Sequence, residues 1–204
     1  MDNFLDKIFF RSRNLNYISQ NLTDLTNQTP ANRIFEALNT YSKSSEVRYV
    51  GGCVRKIIKK QIVDDIDLAT NLKPSEVCDA LKKKEINCQF LNNDLNFEKK
   101  EINFYETGID HGTITAIIDK HKYEITSLRK DVSTDGRHAK VEFSTDWKED
   151  AARRDFSINS IYSDKDGNLF DPFNGKKDLE NGNINFIGDA ENRIKEDYLR
   201  ILRY

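Results

Sequence analysis

Gln61-Ile62-Val63-Asp64-Asp65-Ile66-Asp67-Leu68-Ala69-Thr70 is the stretch whose reading decides the fold. Alternate residues of a β-strand share a face. The pattern predicts a strand from Gln61 to Ala69, with Ile62, Ile66 and Leu68 packing on one face and Asp65 and Asp67 standing together on the other. Two carboxylates one pleat repeat apart on a rigid strand suit a hard divalent cation such as magnesium. Asp64 points with the apolar set and is the weaker candidate. A lone Asp-x-Asp is more often structural than catalytic, so its neighbours must carry the decision.

Upstream, Val47 to Val50 reads as a short strand that runs into Gly51-Gly52, and Val54 to Lys60 then has helical character. Glycines at a strand-to-helix junction let backbone N–H groups approach a phosphate, although a plain tight turn uses the same residues. Downstream, Thr113 to Asp119 and Lys122 to Leu128 read as two strands joined at Lys120-His121. Glu124, between apolar neighbours in the second strand, reads equally as a third carboxylate beside Asp65 and Asp67 or as a solvent-facing strand residue.

Farther out, Ala31 to Ser42 is expected to be a helix with Ile34, Phe35 and Leu38 on one face, and Pro74 opens another through about Lys83. Arg129 to Lys140 reads as a charged loop around Asp135-Gly136, Asp146 to Tyr162 as a helix, and Asp171 to Gly175 as a turn cluster. A last helix is expected from about Asp189 onward. Residues 1–30 are Asn-rich and weakly patterned, expected as a loosely attached extension that includes a short helix; residues 84–106 are polar and poorly periodic, an insertion. Helices and strands mix without regular alternation, which points to α+β rather than a doubly wound sheet.

The chain has 204 residues, with 32 Lys plus Arg against 34 Asp plus Glu, a net charge of −2. That balance argues against a wholly basic nucleic-acid coat and against an acidic solvated tail. The charge is unevenly placed: residues 31–60 carry +5 and residues 101–150 carry −4. No apolar run approaches the ~20 residues that span a bilayer, so no membrane association is expected. Charges break up the N-terminus, unlike a secretory signal. Cys53, Cys78 and Cys88 show no paired spacing, which fits a reducing cytoplasm better than a disulfide framework or a zinc site.

Eight ordered segments, VGGCVRK, DDIDLAT, GIDHGTITA, EITSLRKD, DGRHAKVEF, AARRDFSINSIY, DPFNGKKDL and FIGDAENRIKEDYLRILR, resemble the catalytic head of bacterial class II tRNA nucleotidyltransferases, a family shared with bacterial poly(A) polymerases. The resemblance covers about Arg33 to Tyr204. It implies a polymerase-beta-like nucleotidyltransferase head, a small twisted mixed sheet with helices packed on it, followed by the first helix of an all-α neck. In those terms residues 1–30 are an N-terminal extension, 31–178 the head and 179–204 the start of a truncated neck.

The resemblance also implies roles. Asp65 and Asp67 would hold two magnesium ions, and Glu124 matches the third acidic position. Gly51, Gly52, Arg55 and Arg154 match contacts to the triphosphate, Asp155 the ribose contact, and Asp135, Gly136 and Arg137 the flexible loop. Asp197 and Arg200 match the pair that reads the incoming base, and Arg203 either packs or joins the Arg154 phosphate cluster. The implied function is template-independent addition of C and A from CTP and ATP to the tRNA 3′ end by two-metal catalysis. The alternatives are a poly(A) polymerase or a specialised A- or C-adding enzyme, or a non-catalytic nucleotide- or RNA-binding module. One departure stands out: the family's V-R-D is Val54-Arg55-Lys56 here.

Asp197 and Arg200 lie three residues apart and would share one face of a continuous helix. Asp accepts hydrogen bonds and Arg donates them. Cytosine and adenine each present an amino donor beside a ring-nitrogen acceptor, so the pair complements C and A and opposes U and G. An ordinary surface ion pair has the same spacing.

Overall fold

The computed structural model describes residues 4–83, 102–105, 112–119, 121–135 and 138–204, with the backbone alone for 4–15, 102–105, 132–135 and 138–140. Its centre is a hairpin-like pair, β1 (Val47–Val50) antiparallel to β2 (Ile66–Thr70). β2 pairs in parallel with β5 (His121–Ser127), and β5 in turn pairs antiparallel with β4 (Thr113–Ile118), which carries β3 (Ile102–Tyr105). On the other side β1 meets β8 (Tyr162–Ser163), followed by β9 (Leu169–Phe170). The result is a seven-stranded mixed sheet in the order β3-β4-β5-β2-β1-β8-β9.

Period-two alternation gives this sheet two different faces. Val47, Tyr49, Leu68, Ile114, Ala116, Tyr123 and Ile125 point into the main core, where α1 (Phe4–Gln28), α2 (Ala31–Asn39), α3 (Gly52–Ile58) and α4 (Pro74–Lys83) cover them. Ile34, Phe35 and Leu38 of α2 and Val77 and Leu81 of α4 are buried there, each such side chain contributing about 1.5–3 kcal/mol. Val50, Ala69 and Tyr162 point the other way, into a smaller cluster with Leu128, Ala151 and Trp147. Asp67 shares the face of Ala69, and Glu124 lies between the inward Tyr123 and Ile125. The acidic residues therefore stand on the face that the four helices leave open.

Residues 16–28 belong to the body of the protein, not to a loose extension. Ile18 and Leu22 are fully buried in the main core, with Leu25 packed against it on the same helical stripe. Thr26 Oγ1 lies 2.9 Å from the Tyr49 hydroxyl, and Ser19 Oγ donates to the Asp166 carbonyl at 2.7 Å. Gly167, at φ +83°, lets the β8–β9 turn reach α1; a Cβ there would overlap the Ser19 backbone.

Other expectations are corrected as well. The acidic strand starts only at Ile66, and Ile62 is 89% exposed rather than packed. Lys60 adopts φ +57° and the Gln61 N–H donates to the Lys56 carbonyl, so the chain is still turning off α3 through this stretch. Arg129 to Lys140 is no loop: β6 (Arg129–Asp135) and β7 (His138–Phe143) form a two-stranded hairpin with a bulge between Asp131 and Ser133. Lys130 and Glu142 face each other across it and form an ion pair at 3.2 Å.

The helix expected over 146–162 is only α5 (Trp147–Ala152), capped by the Asp146 carboxylate on the N–H groups of Lys148 and Glu149. A single 3-10 turn at Ser157–Asn159 and strand β8 take up the remainder. After α6 (Gly175–Asn181), the last helix divides into α7 (Ala190–Glu196) and α8 (Leu199–Arg203). The break is at Asp197, whose backbone is extended at φ −154°. Most of residues 84–106 lies outside the described residues; 102–105 is a strand, β3.

Candidate active site

Three sets of residues meet on and beside the open face. The first is acidic. Asp67 sits in direct register with Glu124 across the parallel β2–β5 pair, and Asp65 precedes it by two residues. Burial lifts the Asp67 carboxyl above the usual carboxylate range, and the charges of Glu124 and Asp65 lift it further, against the opposing pull of Arg154 and Lys122. Glu124 accepts a hydrogen bond from Lys122 Nζ at 2.7 Å. Among the described residues no group of three or more His, Cys, Asp or Glu is placed to hold a metal ion; the charge of Glu124 is one of the causes that raise Asp67. Asp65 and Asp67 are hard oxygen donors in a place where negative charge has accumulated, a donor set that fits a divalent cation.

The second is the glycine turn. Gly51 has φ +67°, a conformation open to glycine, and its N–H donates to the Ile161 carbonyl at 3.2 Å. Gly52 is the first residue of α3. A Cβ at Gly51 would lie 3.7 Å from the Asn159 carbonyl oxygen and 3.8 Å from Arg154 Nη1, so the turn and the arginine share one corner of the site.

The third is a polar network around Arg154 and Asp155. Asp150 is 1% exposed, and its carboxylate accepts from Arg153, Arg154 and the Tyr162 hydroxyl. Burial opposes its charge, but Arg154, Arg153 and Tyr162 outweigh that and hold its carboxyl below the usual range. Asn159 joins the two neighbouring sites: its side-chain oxygen accepts from Arg55 Nη1, and its Nδ2 donates to Asp155 Oδ1 at 2.9 Å. Arg203 lies 3.5 Å from Asp155 Oδ2 and 2.8 Å from Asp197 Oδ2. Arg55, Asn159, Asp155, Arg203 and Asp197 thus form one continuous chain of polar contacts.

Residues 47–185 match the family model of the Poly A polymerase head domain. The human mitochondrial CCA tRNA nucleotidyltransferase 1 is 46% identical over 162 residues, which are 79% of this chain and 34% of that protein. A CCA-adding enzyme of Lactobacillus johnsonii is 36% identical over 78% of this chain and 35% of its own length. The crystal structure of the Bacillus stearothermophilus CCA-adding enzyme in complex with CTP superposes with a TM-score of 0.67 and 29% identity, covering 85% of this chain and 36% of that one. The chain belongs to the CCA tRNA nucleotidyltransferase and poly(A) polymerase family. It spans about a third of the length of these relatives. The mixed sheet with helices on it is the fold of the family's head, and the helices after residue 189 are consistent with a helical neck.

Two sets of residues assigned through the family sit differently from expectation. Asp197 and Arg200 do not share a continuous helical face, because the chain breaks at Asp197. Asp197 pairs with Arg203 and caps the Leu199 N–H at 3.0 Å, while the buried Arg200 donates to Glu196 at 2.8 Å and to the Arg193 carbonyl at 2.7 Å. In the family's flexible loop, Asp135 closes the β6–β7 hairpin opposite His138; Gly136 and Arg137 lie outside the described residues. Lys56, at the family's usual aspartate, forms an ion pair with Asp64, whose carboxylate also accepts the Asp65 N–H at 2.9 Å.

Sequence reasoning missed Asp150, Asn159 and Tyr162. Asn159 lay inside a quoted motif, and its spacing from Asp155 was the available signal. Tyr162 ends the same motif, but the pattern places it on a helix rather than beside β1. Among the described residues no helix is long and apolar enough to cross a membrane.

Proposed function

We propose that this chain is the catalytic head of a template-independent nucleotidyltransferase that adds C and A, from CTP and ATP, to the 3′ end of tRNA. The observation that carries it is the register of Asp67 against Glu124 on the open face, with Asp65 two residues away and Arg154 close enough to offset their charge. In the reaction, the 3′-oxygen of the RNA bonds to the α-phosphorus, the bond to the bridging oxygen breaks, and pyrophosphate leaves as the hydroxyl proton passes to solvent.

Asp65 and Asp67 would hold divalent cations, magnesium in this proposal, which when bound acidify the 3′-hydroxyl and neutralise the leaving pyrophosphate. Arg55 and Arg154, with the Gly51-Gly52 backbone, bind the triphosphate, because a planar guanidinium matches phosphate geometry. Asp155 receives the ribose. Asp197 and Arg200 select C and A through their acceptor and donor pattern once released from Arg203 and Glu196. Asp135, Gly136 and Arg137 are assigned the role of the family's flexible loop. The human and bacterial relatives named for CCA addition support this choice of product.

The test is incorporation of CTP, ATP or both into tRNA lacking its 3′ end, with products resolved at single-nucleotide length. Three additions ending in A, limited to that length, are expected. Long poly(A) made from ATP alone would replace the tRNA assignment with a poly(A) polymerase.

A further inference from the structure

The strongest feature without an assigned role is the buried carboxylate of Asp150, which ties three elements to one point. Its Oδ1 accepts from Arg153 Nε at 3.0 Å and Nη2 at 2.8 Å, and from the Arg129 backbone N–H, at the start of β6, at 3.3 Å. Its Oδ2 accepts from Arg154 Nη2 at 3.2 Å and Nε at 3.3 Å, and from the Tyr162 hydroxyl at 2.7 Å. A carboxylate offers about four lone-pair sites, so these donors saturate it.

The Tyr162 hydroxyl closes a triangle. It donates to Asp150 while accepting from Arg154 Nε at 3.0 Å. The Tyr162 ring is fixed in turn by Trp147, edge-on at 5.5 Å, and by Phe170 at 6.0 Å. Only one edge of the Arg154 guanidinium is left. Nη1 makes a long 3.4 Å contact with the Asn159 carbonyl and faces Gly51.

We propose that Asp150 and Tyr162 are positioning residues for the triphosphate, fixing Arg154 so that its Nη1 edge is presented at the glycine turn. The inference rests on the nucleotidyl-transfer reading. Arg154 alone would sample many rotamers, and ordering it at the moment of binding would cost affinity. Here that ordering is already done by a neighbour that never touches the nucleotide. Asp150 also bonds the base of the β6–β7 hairpin, so displacement of that hairpin is felt at Arg154 without a direct contact.

Two variants separate positioning from structure. Tyr162→Phe removes one hydroxyl and keeps the ring packing; Asp150→Asn keeps the shape and removes the charge. Affinities for CTP and CMP are measured on the full chain by calorimetry, beside thermal melts and steady-state incorporation. Tyr162→Phe is expected to weaken CTP binding about three- to tenfold, leave CMP binding within twofold, and raise KM for CTP more than it lowers kcat. Asp150→Asn is expected to do the same more strongly. Unchanged CTP affinity in both variants, beside an active wild type, overturns the inference alone, as does an equal loss for CMP. A wild type with neither CTP binding nor incorporation overturns the nucleotidyl-transfer reading and this inference with it.

Discussion

The site is built from two halves that differ in how their charge is met. Around Arg154 the charges are matched inside the protein: one buried carboxylate is shared by two guanidinium groups and a tyrosine hydroxyl. Along β2 and β5 they are matched only in part, through Lys122 and Arg154. Asp65, Asp67 and Glu124 carry the same sign, and Asp67 is held above its usual range by burial and by the other two. The first half is complete without a ligand and serves stability as well as binding. The second is a concentration of negative charge that Lys122 and Arg154 offset only in part, an offset that a divalent cation would complete. Stability should therefore respond in opposite directions to changes in the two halves, while activity falls with either.

The largest effect on stability belongs to the matched half. Asp150→Ala would leave two half-buried guanidinium groups without their shared carboxylate, a loss of about 2–4 kcal/mol, visible as a fall in Tm of roughly 4–16 °C. The same carboxylate gives this half its acid sensitivity. Because the folded-state pKa of Asp150 lies below its unfolded value, its contribution is present above the ordinary carboxylate range and is lost as pH falls through the folded value. Melts of wild type and Asp150→Asn should therefore converge in acid; curves that stay parallel would break the assignment.

A cut in the main core gives a reference for scale. Leu22→Ala should cost about 2–5 kcal/mol, because Leu22 is fully buried. A change within experimental error would return α1 to the status of a loose extension.

The smallest effect, and the one of opposite sign, belongs to the acidic half. Asp67 has a raised folded-state pKa, so its penalty is full above that value and fades as pH falls toward the unfolded one. Asp67→Asn should therefore raise Tm slightly at neutral pH, by an amount within about 1 kcal/mol.

Much of the architecture was legible in the sequence where signals were local. The strands around Ile114 and Ile125 follow simple alternation, and the glycine pair marks its junction. Glu124 reads two ways in the sequence, because only the parallel register, a long-range feature, sets it opposite Asp67. The Asp150 network was hidden for another reason. On paper Asp150, Arg153 and Arg154 look like ordinary helical surface pairs; the buried Asp150 carboxylate is also bonded by Tyr162, arriving from a strand that the pattern reads as helix. In α1 the Asn-rich composition masked a sparse but sufficient stripe of Ile18, Leu22 and Leu25. The break at Asp197 carries no Pro or Gly to announce it. Its extended backbone and the contacts of Asp197 with Arg203 and the Leu199 N–H are features of packing rather than of composition.

The central claim, that the partly matched carboxylates are the catalytic half, is tested most directly by CTP incorporation into tRNA lacking its 3′ end, with magnesium varied, for wild type and Asp67→Asn side by side. The wild type should be active and saturable in magnesium. The variant should be slower by a factor of at least about a hundred while melting at the same or a higher temperature. An Asp67→Asn variant that incorporates CTP at the wild-type rate would contradict the account.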